Sequence, residues 1–245
     1  MSYILSLSTS SKQGSFSIAK DRKVLYSLAW QKANAHAEVL THFLNEAFHF
    51  LEIKPAQIKL FICDIGPGSF TGVRVATATI KSLAYHAKES RILPCTANEL
   101  LIQNLYLLKK PICTLINAQR QEFYASFYEP GKTKMLCKRK VQLMNINKIE
   151  KYLSKNHILL GDGSDIFLNN CKESVKKKCI RFGDGDLDYP LAKNAFHLLE
   201  SKNYQDRTID WKSLEPLYIR ASSAEEKLIS GDLKSARNYV RRKDK

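Results

Sequence analysis

A buried strand that runs into a glycine turn and then into a helix constrains the fold of this chain most. Residues 59–65 (KLFICDI) are a continuous apolar run of strand length, which is typical of a central strand covered on both faces. The turn GPGSFTG at 66–72 follows, and a helical pattern continues over 71–86. This unit predicts an α/β domain with helices packed on a sheet.

The order of elements around this unit occurs twice, as three strands followed by a helix. The first copy has strand patterns at 3–8, 15–20 and 24–30 before a helix at 33–53, and the second has strands at 112–118, 122–128 and 135–143, a helix at 145–154 and a strand at 157–161. We therefore predict two α/β lobes that face each other across a cleft. The first lobe spans 1–108, and a reduced second lobe spans 109–245, with the final helix returning to the first lobe.

The composition is that of a globular protein, with 44% hydrophobic residues. Neither a signal peptide nor an apolar run of membrane-spanning length is evident, so we expect a cytoplasmic protein with no membrane partner. The six cysteines are scattered without a C-x-x-C pair, which indicates buried reduced thiols and neither a metal site nor a disulfide framework.

The formal net charge of +15 favours encounters with polyanions. Basic residues concentrate at Lys172–Arg181 and in the tail Lys234–Lys245. These segments are either a solvated surface and a frayed terminus or an RNA-binding site, and the sequence leaves both interpretations open.

The glycine turn suits phosphate or close packing. Gly66 and Gly68 flank Pro67, and Ser69 or Thr71 can cap the helix, whose first N–H groups would face an anion. The turn is not a P-loop, because Val73 replaces the lysine, and it is not G-x-G-x-x-G, because the third glycine comes one residue late. The candidate phosphate or nucleotide turn is Gly66, Gly68, Ser69, Thr71 and Gly72.

Several segments in order resemble one known family. They are YILSLSTSS at the start, HAEVL at 36–40, GPGSFTGVR at 66–74 with KSLA at 81–84, NAQRQEFYASFY at 117–128, GDG at 161–163 and EPLYIR at 215–220. Together they are similar to the motifs of TsaB (YeaZ), the dimerization subunit of the bacterial tRNA threonylcarbamoyladenosine biosynthesis complex.

The resemblance implies a two-lobed α/β fold of the actin, Hsp70 and sugar-kinase (ASKHA) superfamily. It implies a non-catalytic scaffold that pairs with a larger catalytic paralogue, TsaD, through the two long helices of the first lobe. The ATPase TsaE and tRNA would complete the complex. The polar residues of the matching motifs are Arg74, Arg120, Glu122 and Arg220, and the sequence leaves open whether Arg74, Arg120 and Glu122 touch ligand, partner or one another.

Two departures from the family pattern argue against a nucleotide–metal complex in the cleft. Ser8 and Asn117 stand where the TsaB pattern usually has aspartate, so neither supplies a carboxylate to a metal ion. We expect no cofactor in the cleft, although a nucleotide at the subunit seam stays open. A sugar-kinase-like phosphotransferase remains as an alternative, weakened by the same departures.

A glycoprotease-like enzyme is a further alternative, but His36, His42 and His49 are spaced six and seven residues apart and cannot chelate one metal ion. Ser69 fits a helix cap better than a nucleophile. We therefore predict no catalytic residue and no metal site. A direct tRNA-binding protein is the alternative from another class.

The helices 35–51 and 71–87 are predicted to form the docking surface. Their apolar stripes look wider than one sheet face requires. The proposed contacts are His36, Val39, Leu40, Phe43, Ala47, Val73, Ala76, Thr77 and Ile80. On this prediction Ala76→Asp or Leu40→Asp leaves the monomer folded and abolishes the complex, and the isolated chain can close on a second copy. The alternative is that these stripes are core.

Overall fold

The structure is a computed structural model that describes residues 2–31, 36–105, 107–132, 135–182, 185–201 and 203–220. Its strands are β1 (Tyr3–Ser8), β2 (Gln13–Lys20), β3 (Lys23–Gln31), β4 (Ile58–Asp64), β5 (Arg91–Cys95), β6 (Ile112–Asn117), β7 (Glu122–Pro130), β8 (Met135–Asn145), β9 (His157–Leu160) and β10 (Cys179–Arg181). Its α-helices are α1 (His36–Phe50), α2 (Phe70–His86), α3 (Ala97–Gln103), α4 (Ile146–Glu150), α5 (Ser164–Asn170) and α6 (Glu173–Lys176). Short 3-10 segments lie at Pro55–Gln57, Asp186–Asp188, Ala192–Glu200 and Gln205–Arg207.

The strands form two five-stranded sheets of the same topology. The orders are β3-β2-β1-β4-β5 and, read from the other edge, β8-β7-β6-β9-β10. In each sheet the first three strands pair antiparallel, and the last two continue parallel to the first. The predicted duplication is therefore confirmed, with β5 and β10 as strands that the sequence pattern did not reveal.

The sheets alternate with helical layers. Helices α1 and α2 cover one face of the first sheet, where Leu40 and Ile80 join the core around Phe61. The other face packs on Ala192–Glu200 and on α3, which also covers the near face of the second sheet. Helices α4 to α6 cover the far face of the second sheet. The segment Ala192–Glu200 thus lies against the first sheet.

Two predictions about the core need correction. All six cysteines are free, and Cys63, Cys95 and Cys113 are buried, but Cys137 is exposed and the other two are partly exposed. The expectation of six buried thiols is wrong for those three, since Cys137 lies on the exposed edge strand β8. The helix predicted at 145–154 is shorter, ending at Glu150. Within the described residues, no helix has the length and apolar character to cross a membrane.

Candidate functional site

The glycine turn between β4 and α2 lies under the turn that joins β1 and β2. A Cβ atom at Gly68 would lie 2.2 Å from the carbonyl oxygen of Ser10, and one at Gly72 would lie 1.9 Å from that of Thr9. Two hydrogen bonds close the contact, from Ser69 N–H to the Ser10 carbonyl at 2.7 Å and from Thr9 Oγ1 to the Gly72 carbonyl at 2.7 Å. These glycines are therefore required by close packing of two backbone segments.

The start of α2 is capped from within the turn. Ser69 is the N-cap, and its hydroxyl accepts a hydrogen bond from Gly72 N–H at 3.2 Å. Thr71 lies inside the first helical turn with its side chain exposed, so the prediction that it could cap is wrong. Gly66 adopts a φ of +93°, and its carbonyl accepts from Ala97 N–H at 2.9 Å, which ties the turn to α3. Phosphate binding at this turn stays a prediction.

A buried carboxylate, Asp64, sits at the end of β4 beside the turn. Its Oδ2 accepts hydrogen bonds from the hydroxyls of Ser8 and Ser10, both at 2.6 Å, and its Oδ1 accepts from Gly66 N–H at 2.8 Å. Burial raises the pKa of Asp64, and these hydrogen bonds partly oppose the shift. Ser8, at the position of the family aspartate, therefore serves as a donor to another carboxylate.

The second lobe places an aspartate at the equivalent position after β9. Asn117 N–H donates to Asp162 Oδ1 at 3.0 Å, and the Asn117 side chain accepts from Gln119 N–H at 2.9 Å. Burial raises the pKa of Asp162 from the ordinary value of an aspartate. Gln13 Nε2 donates to Asp186 Oδ1 at 3.2 Å, joining the start of β2 to the second lobe.

Sequence reasoning singled out neither Asp64 nor Asp162 as a residue of the cleft. The available signal was their position. Asp64 ends an apolar strand, Asp162 comes after an apolar strand and Gly161, and a helix follows each aspartate. Within the described ranges, no group of three or more histidine, cysteine, aspartate or glutamate side chains is arranged to hold a metal ion.

The C-terminal segment 214–220, here called the strap, connects the two lobes. Leu217 N–H donates to the Ile65 carbonyl at 2.8 Å, and Lys81 pairs with Glu215 at 2.9 Å on the first lobe. On the second lobe, Arg220 donates to the Ala118 carbonyl at 2.5 Å and forms an ion pair with Glu122. Two of the polar motif residues, Glu122 and Arg220, thus contact each other.

Arg74 reaches the same strap from the outer surface of α2. Its Nε donates to the Tyr218 hydroxyl at 3.0 Å, and its guanidinium lies 3.9 Å from the centre of the Phe70 ring. Arg120 lies in the β6–β7 turn with a φ of 53°, between Gln119 and Gln121, which also have positive φ. The structure therefore gathers three of the four motif residues on the strap, and the fourth lies in the adjoining turn.

Most of the predicted docking contacts are core residues of this chain. The buried ones are Leu40, Ala47, Val73, Ala76, Thr77 and Ile80. The partly buried ones are His36, Val39 and Phe43. The wide stripes face the first sheet and each other, so Ala76→Asp or Leu40→Asp would place a charge in the core, which argues against the expected folded monomer.

His36 has a structural contact of its own at the start of α1. Its Nδ1 accepts from Trp30 Nε1 at 3.0 Å, so its Nε2 carries the proton and donates to the Ser11 carbonyl at 2.9 Å. His42 and His49 are exposed on the outer face of α1. His42 contacts Glu46 at 3.3 Å.

The outer face of the helix pair is formed by other residues. On α2 the exposed side chains are Thr71, Arg74, Ala78, Ser82, Tyr85 and His86. On α1 they are Ala37, Glu38, Thr41, His42, Asn45, Glu46, His49 and Phe50. Apart from its aromatic end, α2 presents small side chains and a single arginine. We call this surface, made of both sets, the outer helix face.

A groove of about 1050 Å³ opens between α3, β7, β8 and the segment 197–201, and Leu217 and Ile219 of the strap also line it. Its lining combines apolar side chains, such as Leu136 and Leu198, with the Glu99–Arg207 ion pair. None of the residues predicted as site residues is among those that line it.

Comparison with known proteins places this geometry in a family. The family model for TsaD, the tRNA N6-adenosine threonylcarbamoyltransferase, matches residues 30–227, which is more than half of the chain. This chain belongs to the TsaD family. The matched residues include the glycine turn, Asp64, the strap and, in the second lobe, Asn117 and Asp162.

Two curated relatives carry the name tRNA threonylcarbamoyladenosine biosynthesis protein TsaB. The chain is 28% identical to that of Buchnera aphidicola subsp. Schizaphis graminum (strain Sg) over 214 residues, covering 85% of this chain and 98% of the relative. It is 25% identical to that of Buchnera aphidicola subsp. Baizongia pistaciae (strain Bp) over 224 residues, covering 88% and 97%.

Among solved structures, YeaZ from Pseudomonas aeruginosa has a TM-score of 0.76 at 18% identity, covering 89% of this chain and 100% of that one. This similarity shows the fold. The resemblance to TsaB and YeaZ within the TsaD family is confirmed, as is the two-lobed actin-like fold that the duplicated sheets display.

Proposed function

We propose that this chain acts in tRNA threonylcarbamoyladenosine biosynthesis as a non-catalytic subunit that binds and supports a TsaD-like catalytic partner. The names of the two TsaB relatives, each covered almost completely, support the process. A TsaE-like ATPase and tRNA are the further members of the proposed complex. The protein is proposed to work in the cytoplasm.

The outer helix face is the observation that carries the docking proposal. Ala78 and Ser82 are exposed one helical turn apart on α2, and they are small enough to let a partner helix approach closely. Tyr85, with 59% of its surface exposed, extends the same side of the helix and packs edge-on against Trp211. A partner of similar fold that presents its own helix pair would bury this face in a four-helix arrangement.

The contacts of the cleft support the non-catalytic assignment. Ser8 and Asn117 replace carboxylates, and the hydrogen bonds of Ser8 and Ser10 occupy Oδ2 of Asp64, which is buried. Phosphoryl transfer in related folds needs a metal ion held by exposed oxygen ligands. A nucleotide, if the complex uses one, is proposed to bind at the seam between subunits.

A substitution on the outer helix face tests docking. We expect Ala78→Arg or Ser82→Arg to leave the chain folded but to abolish co-purification with a co-expressed TsaD-like partner, because a long charged side chain blocks close helix approach. Asn169→Arg, at an exposed position of α5 on the second lobe, is the matched control and should retain the partner. Full retention by the α2 variants would contradict the proposal.

Activity measurements test the non-catalytic assignment. The purified chain alone should neither hydrolyse ATP nor modify tRNA, whereas adding it to the catalytic partner should raise modification. Size-exclusion chromatography with light scattering would show whether the isolated chain closes on a second copy, and Ala78→Arg should then prevent that homodimer. Turnover of ATP by the chain alone would reject the assignment.

A further inference from the structure

The outer surface of the second lobe carries a dense set of lysines. Residues 145–156 and 172–178 contain seven lysines and two glutamates, a net charge of +5. The lysines are Lys148, Lys151, Lys155, Lys172, Lys176, Lys177 and Lys178, and all are exposed. We call this set the lysine face.

The fold, and not the sequence, brings the two lysine-bearing segments together. Lys172 N–H donates to Glu150 Oε1 at 2.9 Å, and Asn156 N–H donates to the Lys178 carbonyl at 2.7 Å. Beneath them, Ile149, Leu153 and Val175 share one hydrophobic cluster on the far face of the second sheet. The lysines therefore lie on one continuous surface over a common core.

Most of the positive charge of this face is not neutralised within the described part of the chain. Lys172 pairs with Glu150 at 3.4 Å, and none of the other six lysines has a carboxylate within 4.0 Å there. Arg181, by contrast, forms ion pairs with Asp165 and Asp188. The basic segment Lys172–Arg181 is thus divided. Arg181 forms structural ion pairs, whereas the lysines before it are exposed to solvent.

The outer helix face of the first lobe has the opposite character. Helix α1 carries Glu38 and Glu46 and no lysine or arginine. The net charge of +15 is therefore distributed unevenly, with one third of its excess on the lysine face. A run of exposed lysines at this density suits the evenly spaced phosphates of a nucleic acid, each contact releasing a counterion.

We propose that the lysine face binds the phosphate backbone of RNA, as a non-sequence-specific contact for tRNA in the complex. This inference rests on the proposed function for the identity of the RNA, and it places tRNA on the second lobe, away from the outer helix face. Lysines act here as point charges, so they would contribute affinity and orientation and no base specificity.

Charge neutralisation tests the lysine face directly. The variant Lys176→Gln, Lys177→Gln, Lys178→Gln is titrated against fluorescently labelled bulk tRNA between about 50 and 200 mM salt, as the isolated full chain and with the TsaD-like partner. We expect binding weaker by about tenfold or more at the lower salt. The slope of log affinity against log salt should fall by about two to three.

A control variant with the same change in net charge distinguishes binding at the lysine face from a general effect of net charge. Lys23→Gln, Lys54→Gln, Lys88→Gln removes three exposed lysines of the first lobe and should change tRNA affinity by less than about twofold. Equal losses in the two triple variants, or no loss in either, would overturn the proposal. Loss of the protein partner with intact tRNA binding would also overturn it, and would assign the face to an acidic protein surface.

The two proposals fail separately. If no TsaD-like partner binds the wild-type chain, the proposed function fails, while titration of the isolated chain still tests the lysine face. If Ala78→Arg loses the partner and the isolated variant keeps wild-type tRNA affinity, docking and RNA binding occupy different lobes as proposed. Circular dichroism of each variant checks that the fold is retained.

Discussion

The two lobes repeat one sheet topology beneath different outer layers. The helices over the first sheet, α1 and α2, have 15 and 17 residues, whereas those over the second, α4, α5 and α6, have five, seven and four. Strand pairing fixes the order of each sheet, but a helical layer needs only an apolar inner side. The outer sides can therefore diverge, towards small side chains in one lobe and lysines in the other.

The edges of the cleft, in contrast, are similar in both lobes. Asp64 is the last residue of β4 and Asp162 lies just after β9, and these two strands occupy equivalent places in the two sheets. A glycine then approaches the neighbouring hairpin strand closely in each lobe, Gly72 at Thr9 and Gly163 at Leu115 and Phe123. The comparison predicts that a side chain added at either cleft turn destabilises the fold, by an amount that follows its contacts, whereas changes on the outer layers have little effect on stability.

The largest effect is expected at the glycines. Gly72→Ala would put a Cβ 1.9 Å from a backbone oxygen, and we expect a loss of about 3 kcal/mol or more of unfolding free energy. Gly163→Ala meets the Phe123 ring at 2.8 Å and backbone atoms at 3.0 Å and 3.2 Å, so we expect about 1–2 kcal/mol. Urea denaturation measures both, and equal losses would show that the two turns are more alike than their contacts indicate.

The next effect separates the inner and outer sides of α2. Ala76 has 0% of its surface exposed, and Ala76→Asp should cost about 3 kcal/mol because it buries an unpaired carboxylate. Ala78→Asp, two residues later on the exposed side, should stay within about 0.5 kcal/mol of wild type. A stable Ala76→Asp monomer would restore the original docking prediction for that residue.

A smaller effect is expected at the strap, where the lobes are joined. Arg220→Ala removes the ion pair with Glu122 and the bond to the Ala118 carbonyl, at a cost of about 1–2 kcal/mol. Lys59→Ala breaks the exposed Lys59–Glu89 pair of the first lobe and should cost less than about 0.5 kcal/mol. A double-mutant cycle with Glu122→Gln measures the interaction energy of the Arg220–Glu122 pair. A value near zero would show that this pair does not contribute to the stability of the fold.

The smallest effect is the dependence of stability on pH that arises from the two cleft aspartates, Asp64 and Asp162. A raised pKa means that the folded state holds its proton more tightly than the unfolded chain, so the stability from each group falls as pH rises through the window between the two pKa values. Asp64→Asn should therefore flatten the pH dependence of unfolding free energy above about pH 4, the ordinary pKa of an aspartate. Asp162→Asn should do so less, since Asp162 is less deeply buried than Asp64. A stronger flattening by Asp162→Asn than by Asp64→Asn would mean that the hydrogen bonds from Ser8 and Ser10 cancel most of the effect of burial on the pKa of Asp64.

The sequence was sufficient to predict the strands of the cleft and the duplicated order. The strand pattern of 3–8 and the apolar run of 59–65 both predict strands, and both strands were confirmed. The strand Arg91–Cys95 was missed, since it has only five residues and includes Pro94. Short edge strands carry too few residues for a pattern to stand out.

The same patterns could not tell which apolar helix residues are covered by this chain itself. Hydrophobic periodicity shows which side of a helix is covered, but it does not tell whether the cover is the chain itself or a partner. Ala76 and Ile80 were therefore predicted as interface although they are buried in the core, whereas Ala78 and Ser82, on which the docking proposal rests, are exposed. Likewise, the pairing of Glu122 with Arg220 joins residues far apart in sequence, and no local rule predicts it.

The strap has a mechanical consequence for the proposed complex. It touches α2 through Tyr218 and the second-lobe hairpin through Arg220, only two residues further on. A protein that binds at Arg74 or Tyr218 would therefore also restrain the β6–β7 hairpin of the second lobe, because Arg220, two residues after Tyr218, contacts that hairpin. Occupancy on the outside of one lobe would in this way set the width of the opening between them.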